Sequence, residues 1–466
     1  MRIWRPKIVP PWSLSDLESI LADALKVLEK IGVGCTQPRV RNCLAERGYT
    51  LSDERVYFPE ELVREHLENK RAVFRQSPAE DDQFRLWGCW TGLNYCDPKT
   101  QKVRPASSAE ASQMARLWDS RGLAGPIPVM PGDVPPALAT LTAERIALEN
   151  SRFLGGSLTV TDPEEVRYLI EMFAAAGRRY HLVEQVGISP LKFDHEGLTT
   201  TLCFLGNPDV DVSLTGFIPI AGATCPLDPR GAVVQSVAET LALDVLCSVL
   251  EISGGGLSIR VEPFDFQYSF IVFGSPEWCL YRALVFQMNE YLTGERPRYG
   301  VFRSVAKTPN AQAACERTAS VLWQALLGAR QFGAVGQLSV DEVFSPQQAV
   351  IDREILNYVK RVIDGLDFTS DTVDSLALIE EGVGEGSFVG VADTVSRFRE
   401  FYWFPDIFRH WNLGRWQAEG EPSILDEAWT LAQQEIARST YQLRQEQREE
   451  ISRIYQKAKK YIENRS

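Results

Sequence analysis

Two stretches of this 466-residue chain combine residue types able to hold a small ligand. Residues 262–274 place Phe264, Phe266 and Tyr268 around one carboxylate, Asp265. Ring faces attract cations through the aromatic quadrupole, including a quaternary ammonium that no hydrogen bond can reach, so this composition predicts a cation cage. The competing reading is that the rings simply plug the core. Residues 216–225 read Gly-Phe-Ile-Pro-Ile-Ala-Gly-Ala-Thr-Cys and add Phe217, Gly222 and Thr224 as candidate contacts. Both stretches are long for connections in a compact domain, and such length usually accompanies function. Arg260, Arg303 and Lys307 stand near predicted strand ends, where they would bind a substrate carboxylate or neutralise neighbouring acids. Tyr95, within Trp-Thr-Gly-Leu-Asn-Tyr-Cys-Asp, is a further candidate. For Tyr95 and Trp90 alike, the alternative is packing in a hairpin that turns at Asp97-Pro98. No residue is assigned a catalytic role.

Several chemistries lack support. The nine cysteines form no Cys-x-x-Cys pair and are expected as reduced thiols, and the four histidines are scattered singly, so no zinc site is predicted. Gly254-Gly255-Gly256 lacks the strand-before, helix-after context of a dinucleotide fingerprint, so no nucleotide is expected. A formal net charge of -13 would repel phosphate backbones, which argues against a nucleic-acid partner. Asp244 and Glu251 interrupt the longest apolar stretches, so no membrane span is predicted. Residues 1–13 do not read as a secretory signal, and a cytoplasmic location is expected.

The elements that must position these residues are legible as patterns. Ser15 and Glu18 suggest a capping box before a helix whose Leu17, Leu21, Ala24, Leu25 and Leu28 share one face, with Gly32 at its stop. A second helix is expected up to Arg47, a strand at 56–58 and a third helix from Pro59. From about residue 107, short apolar runs alternate with helical stretches. Strands are predicted at 126–130, 153–160, 181–188, 210–215, 256–261, 298–303 and 332–338, with an eighth near 387–391. Asp162-Pro163, Asp228-Pro229, Ser275-Pro276, Thr308-Pro309 and Ser345-Pro346 each read as a cap followed by proline at the first helical position. These features favour an α/β fold, a (β/α)8 TIM barrel over residues 81–422, behind a helical cap at 1–80 and before a helical extension at 423–466. The extension would pack on the barrel or on another subunit of a homo-oligomer.

Five segments carry a family resemblance: Gly132-Asp133-Val134-Pro135-Pro136, Ile188-Ser189-Pro190-Leu191, Pro219-Ile220-Ala221-Gly222-Ala223-Thr224, Phe273-Gly274-Ser275-Pro276-Glu277, and Ala306-Lys307 with Gln312 and Glu316. In them the chain resembles the trimethylamine methyltransferase family in its form without pyrrolysine. The resemblance implies a barrel and a two-protein reaction. A reduced corrinoid, supplied by a separate corrinoid-binding protein, takes a methyl group from a small methylated amine. Relatives without pyrrolysine are associated with quaternary amines such as betaines. A quaternary nitrogen departs as a neutral tertiary amine and needs no proton, so alignment and water exclusion suffice. The chain departs from the family at two places. Ser304-Val305-Ala306-Lys307 lacks the aspartate that commonly precedes Ala-Lys, and residues 386–393, with Ser387 and Phe388, lack the usual histidines. A divergent methylated substrate, or a barrel that binds quaternary amines without transfer, would produce the same pattern. Arg260 and Arg303 beside aromatic residues fit a zwitterion.

Overall fold

The first helix forms where the apolar spacing requires it: Leu17, Ile20, Leu21, Ala24, Leu25 and Leu28 are buried along Leu14–Lys30 in the computed structural model of the protein. The structure describes residues 3–4, 7–76, 82–156, 158–160, 162–252, 257–367 and 374–465. The capping box is two residues earlier than the sequence pattern suggests. Ser13 accepts from the Asp16 amide and Asp16 answers, while Ser15 and Glu18 lie inside the helix. Helices at Pro38–Glu46 and Glu60–Gln76 and the strand Arg55–Tyr57 match expectation. Four proline-led helices start as predicted, with Asp162, Asp228, Ser275 and Ser345 as their caps. The fifth differs. Its helix is Ala311–Leu327, and Asn310 rather than Thr308 accepts from the first-turn amides.

The protein is mixed α/β, with several small sheets. Tyr180–Ile188 and Val210–Gly216 pair in parallel over their length, and Gln331–Gly333 lies between Tyr299–Val301 and Arg85–Leu86, parallel to both. Isolated parallel bridges join Gly92 to Val129, Gly125 to Leu154 and Ile220 to Glu262. Among the described residues these segments do not hydrogen-bond into the closed eight-stranded sheet expected from the sequence. The reason is local. Residues 257–261 are extended, but Ser236 Oγ bonds the Arg260 amide and carbonyl, and Asn289 Oδ1 accepts from the Ile259 amide. Gln324 does the same for both backbone groups of Val301. Side-chain amides and a hydroxyl thus satisfy the strand edges that a ladder would otherwise use. The segment at 387–391 is not a strand but a turn, exposed except for buried Val391, leading into the Ala392–Phe401 helix. Gly254-Gly255-Gly256 lies outside the described residues.

Pro229–Val249 is the one described helix long and apolar enough to cross a membrane, and most of it is buried within the core. The extension at 423–462 is two helices, Ile424–Arg438 and Gln445–Glu463, both packed on their own chain. Arg121 pairs with Glu435 at 2.6 Å, and Tyr455 meets Thr142 at 3.0 Å. All nine cysteines are free, five of them buried.

Tyr180–Ile188 alternates as a half-buried strand should, except that its buried side carries a carboxyl, Glu184. Burial, with Asp194 adding to it, pushes this group up to about 8. A carboxyl raised in the folded state costs nothing below its ordinary range and destabilises progressively as pH climbs from about 4.5 towards 8. Glu184→Gln should therefore flatten the decline in melting temperature across that window. An unchanged pH profile would exclude Glu184 as its source.

Candidate functional site

A cavity of about 710 Å³ opens between residues 257–262 and 299–303, where no ladder joins the two segments. Arg260 and Glu262 line one side and Val301 and Arg303 the other. The Pro276–Thr293 helix contributes Arg282, Phe286, Asn289 and Thr293, while Trp87 and Trp90 enter from the segment following Arg85–Leu86. The two indoles meet edge to face with centroids 5.5 Å apart. Asn289 has two duties here: it shapes the wall and holds the backbone of Ile259.

Five arginines line the cavity; Arg296 and Arg298 pair with Glu290 and Asp82, each at 3.5 Å, and charge distribution distinguishes the other three. Arg282 is buried and paired with Glu262, its guanidinium 4.5 Å over the Trp278 ring, and Trp278 Nε1 donates to the same carboxylate at 2.7 Å. Arg303, also buried, pairs with Asp341 and lies between Phe273 at 4.0 Å and Trp90 at 5.0 Å. Arg260 has no carboxylate: among the described residues its guanidinium makes no hydrogen bond or ion pair. Burial pulls its protonation equilibrium below the ordinary arginine range. The like charge of Arg282 adds to that, Glu262 opposes it, and Arg303 adds further. Its ordinary range is so high that it stays charged. Arg260, Arg282 and Arg303 stand against two paired carboxylates, Glu262 and Asp341, with Glu295 the further acid of the lining, so Arg260 is the one of the three without a carboxylate of its own. The buried Nε groups of Arg282 and Arg303 and the indole N–H of Trp87 have no acceptor either. Those three atoms are sealed from the open space, so it is the Arg260 guanidinium that calls for a ligand bringing acceptors, and a carboxylate does so in the planar geometry guanidinium prefers.

Of the residues singled out from sequence, Arg260 and Arg303 line this cavity, and Ser304 follows directly, its hydroxyl donating to Glu316 at 2.7 Å. The others serve elsewhere. Tyr95 is buried in the hairpin of Asn94–Cys96 and Val103–Arg104, with Arg104 5.5 Å over its ring, which is the packing role. Phe217 is buried against Phe193 at 5.7 Å. Gly222, at φ +82°, leaves no room for a Cβ, which would lie 2.5 Å from the Phe266 ring. Thr224 accepts from the Ile220 amide at 2.9 Å. Asp265 accepts from the amides of Gln267 and Tyr268 and so caps its own hairpin. Phe264 stacks edge-on against Phe266, while Phe266 and Tyr268 are 60% and 74% exposed. Lys307 is exposed and turns back to the Val305 carbonyl at 2.7 Å. Ser387 and Phe388 occupy the exposed turn before Ala392–Phe401. The aromatic residues lining the cavity are thus Phe74, Trp87, Trp90, Phe286 and Tyr299, with none from the predicted loop. The sequence leaves Trp90 open, with hairpin packing as the alternative, and singles out neither Trp87 nor Arg282. The signals available were the Trp87-x-x-Trp90 spacing and the i, i+4 relation of Trp278 and Arg282.

The sequence profile of the trimethylamine methyltransferase family matches residues 6–462. The chain belongs to that family. It is similar to the trimethylamine methyltransferase MttB of Methanosarcina thermophila, 24% identical over 455 residues, covering 88% of this chain and 89% of the relative. It is also similar to MttB2 of Methanosarcina mazei, 22% identical over 457 residues and covering 89% and 88%. The MttB of Desulfitobacterium hafniense is 24% identical over 419 residues, covering 83% of this chain and 82% of its own length. Among the described residues lining the cavity there is no cysteine or histidine. Among the described residues no cluster of three or more histidine, cysteine or acidic side chains is placed to hold a metal ion.

Proposed function

We propose that this protein is a methyltransferase that moves a methyl group from a small zwitterionic methylated amine, betaine-like, to the corrinoid of a partner corrinoid-binding protein, in the cytoplasm. Family membership supports the reaction class, and the single observation behind the substrate class is Arg260: a half-buried guanidinium on the cavity wall with no paired carboxylate among the described residues. The substrate carboxylate pairs with Arg260, and its quaternary ammonium rests on the faces of Trp87 and Trp90. The order of parallel pairings supports a (β/α)8 barrel opened between residues 257–262 and 299–303.

When bound, the corrinoid supplies a reduced cobalt as nucleophile. It is too large to enter the cavity, so the chain must offer it a face. The hairpin of Phe264–Asp265 and Phe270–Ile271 connects Glu262 on the wall to Phe273 beneath Arg303, and Ile218, Leu227, Phe266 and Tyr268 expose apolar surface around it. That surface fits a partner which closes over the opening and excludes water. The protein's own contribution is alignment: anchored at both ends, the substrate has one C–N bond free to face the opening, and its nitrogen departs as a neutral amine without a general acid.

The ring contribution is testable. Trp90→Leu should weaken binding of trimethylglycine by roughly twofold to thirtyfold, the value of a ring quadrupole at about 0.5–2 kcal/mol. Titration calorimetry measures it, and the decisive activity assay is demethylation of trimethylglycine coupled to the corrinoid spectrum of a reduced partner protein. If no methylated amine supports transfer under reducing conditions, the enzymatic reading fails and a binding barrel remains.

A further inference from the structure

The turn after Gln337–Leu338 holds three consecutive residues, Ser339, Val340 and Asp341, at φ of 51°, 57° and 69°. Left-handed backbone is unfavourable for side chains, most of all for β-branched valine, and such a run persists only where its surroundings over-determine it. Here they do. The Ser339 amide donates to the Ala306 carbonyl at 2.8 Å, the Val340 amide to the Ser304 carbonyl at 3.3 Å, and the Ser339 hydroxyl to Glu342 at 3.1 Å. The turn is therefore tied to the chain immediately after Arg303, and the outcome of the strain is specific: the Asp341 carboxylate is set against the Arg303 guanidinium.

Asp341 does not line the cavity, yet it decides what the cavity presents. With Asp341 in place, Arg303 is paired like Arg282 with Glu262, Arg296 with Glu290 and Arg298 with Asp82, and of the arginines lining the cavity only Arg260 lacks a paired carboxylate among the described residues. Without it, two guanidiniums would face the ligand without counter-ions. We propose that Asp341 is a positioning residue, an internal counter-ion that reserves Arg303 and restricts the cavity to ligands carrying a single negative charge. A substrate with two carboxylates is refused because no second free guanidinium remains to offset the desolvation of its second charge. The inference rests on the reading of Arg260 as the anion receptor.

The test uses acetate and malonate, a monoanion and a dianion, titrated at constant ionic strength into the full chain and its variants. Asp341→Asn is the variant of choice, because asparagine tolerates the left-handed conformation at nearly constant volume. The expected result is a gain in malonate affinity of roughly tenfold, the worth of a new charge-assisted contact, with acetate changed much less. Adding Arg303→Gln to Asp341→Asn should abolish the gain, and this double variant removes both charges together, so it also serves if the single variant folds poorly. An unchanged malonate-to-acetate ratio in folded Asp341→Asn overturns the counter-ion role while leaving the Arg260 site intact. Failure of both anions to bind any variant, wild type included, overturns the Arg260 site and this inference with it.

Discussion

Replacing Asp352 with asparagine should lower the unfolding free energy by about 3–5 kcal/mol, the usual cost of stripping one partner from a buried ion pair. Asp352 and Arg317 are both fully enclosed. Each is saturated. Asp352 accepts from Arg317 Nε at 2.6 Å, from the Gly336 amide at 2.6 Å and from Gln348 at 2.9 Å. Arg317 in turn donates to the carbonyls of Ala334 and Gln337 and lies 5.0 Å over the Phe302 ring. The pair thus closes the turn after Gln331–Gly333 and supports the strained segment that carries Asp341. Charge neutralisation at constant shape leaves the Arg317 cation uncompensated in a dry site, and that penalty, more than the lost attraction, drives the effect. Denaturant unfolding should show a lower midpoint with an unchanged slope. A loss under about 1 kcal/mol would mean the pair is not desolvated as its burial implies.

Arg260→Gln should act in the opposite sense on stability and strongly on binding. Because the wild-type guanidinium is half-buried beside Arg282 and Arg303 without a paired carboxylate among the described residues, removing its charge relieves repulsion, and the ligand-free protein should melt no lower than wild type. Binding of trimethylglycine should fall by roughly tenfold to 150-fold, equivalent to about 1.5–3 kcal/mol for a charge-assisted contact. The combination is diagnostic, since a residue that merely holds the wall together would lose stability and affinity in parallel. Calorimetric titration together with thermal unfolding, with and without ligand, separates the two. Unaltered affinity in a folded Arg260→Gln protein would rule out Arg260 as the anchor for the carboxylate.

The sequence by itself determined most of the elements, because their signals are short-range. Apolar spacing buries Leu17 to Leu28 on one helix face, Asp228-Pro229 and Ser275-Pro276 set helix starts, and alternation marks Tyr180–Ile188. It also determined the family, through ordered loop segments that no physical periodicity dictates. Arg260 and Arg303 were legible as candidates from their place at strand ends, but their difference was not. Whether an arginine is free depends on which carboxylate the fold brings to it, and Asp341 reaches Arg303 across 38 residues while no carboxylate among the described residues pairs with Arg260. The aromatic loop shows the converse. Phe266 and Tyr268 have the composition of a cage, yet Asp265 spends its acceptors capping the hairpin, Phe266 packs over Gly222, and both rings remain on the outside. Trp87 and Trp90 take that place because the segments at 257–262 and 299–303 are held apart by Ser236, Asn289 and Gln324, side chains on three different helices. Composition says which groups can bind a charged ligand; only long-range hydrogen bonding decides which of them face the same space.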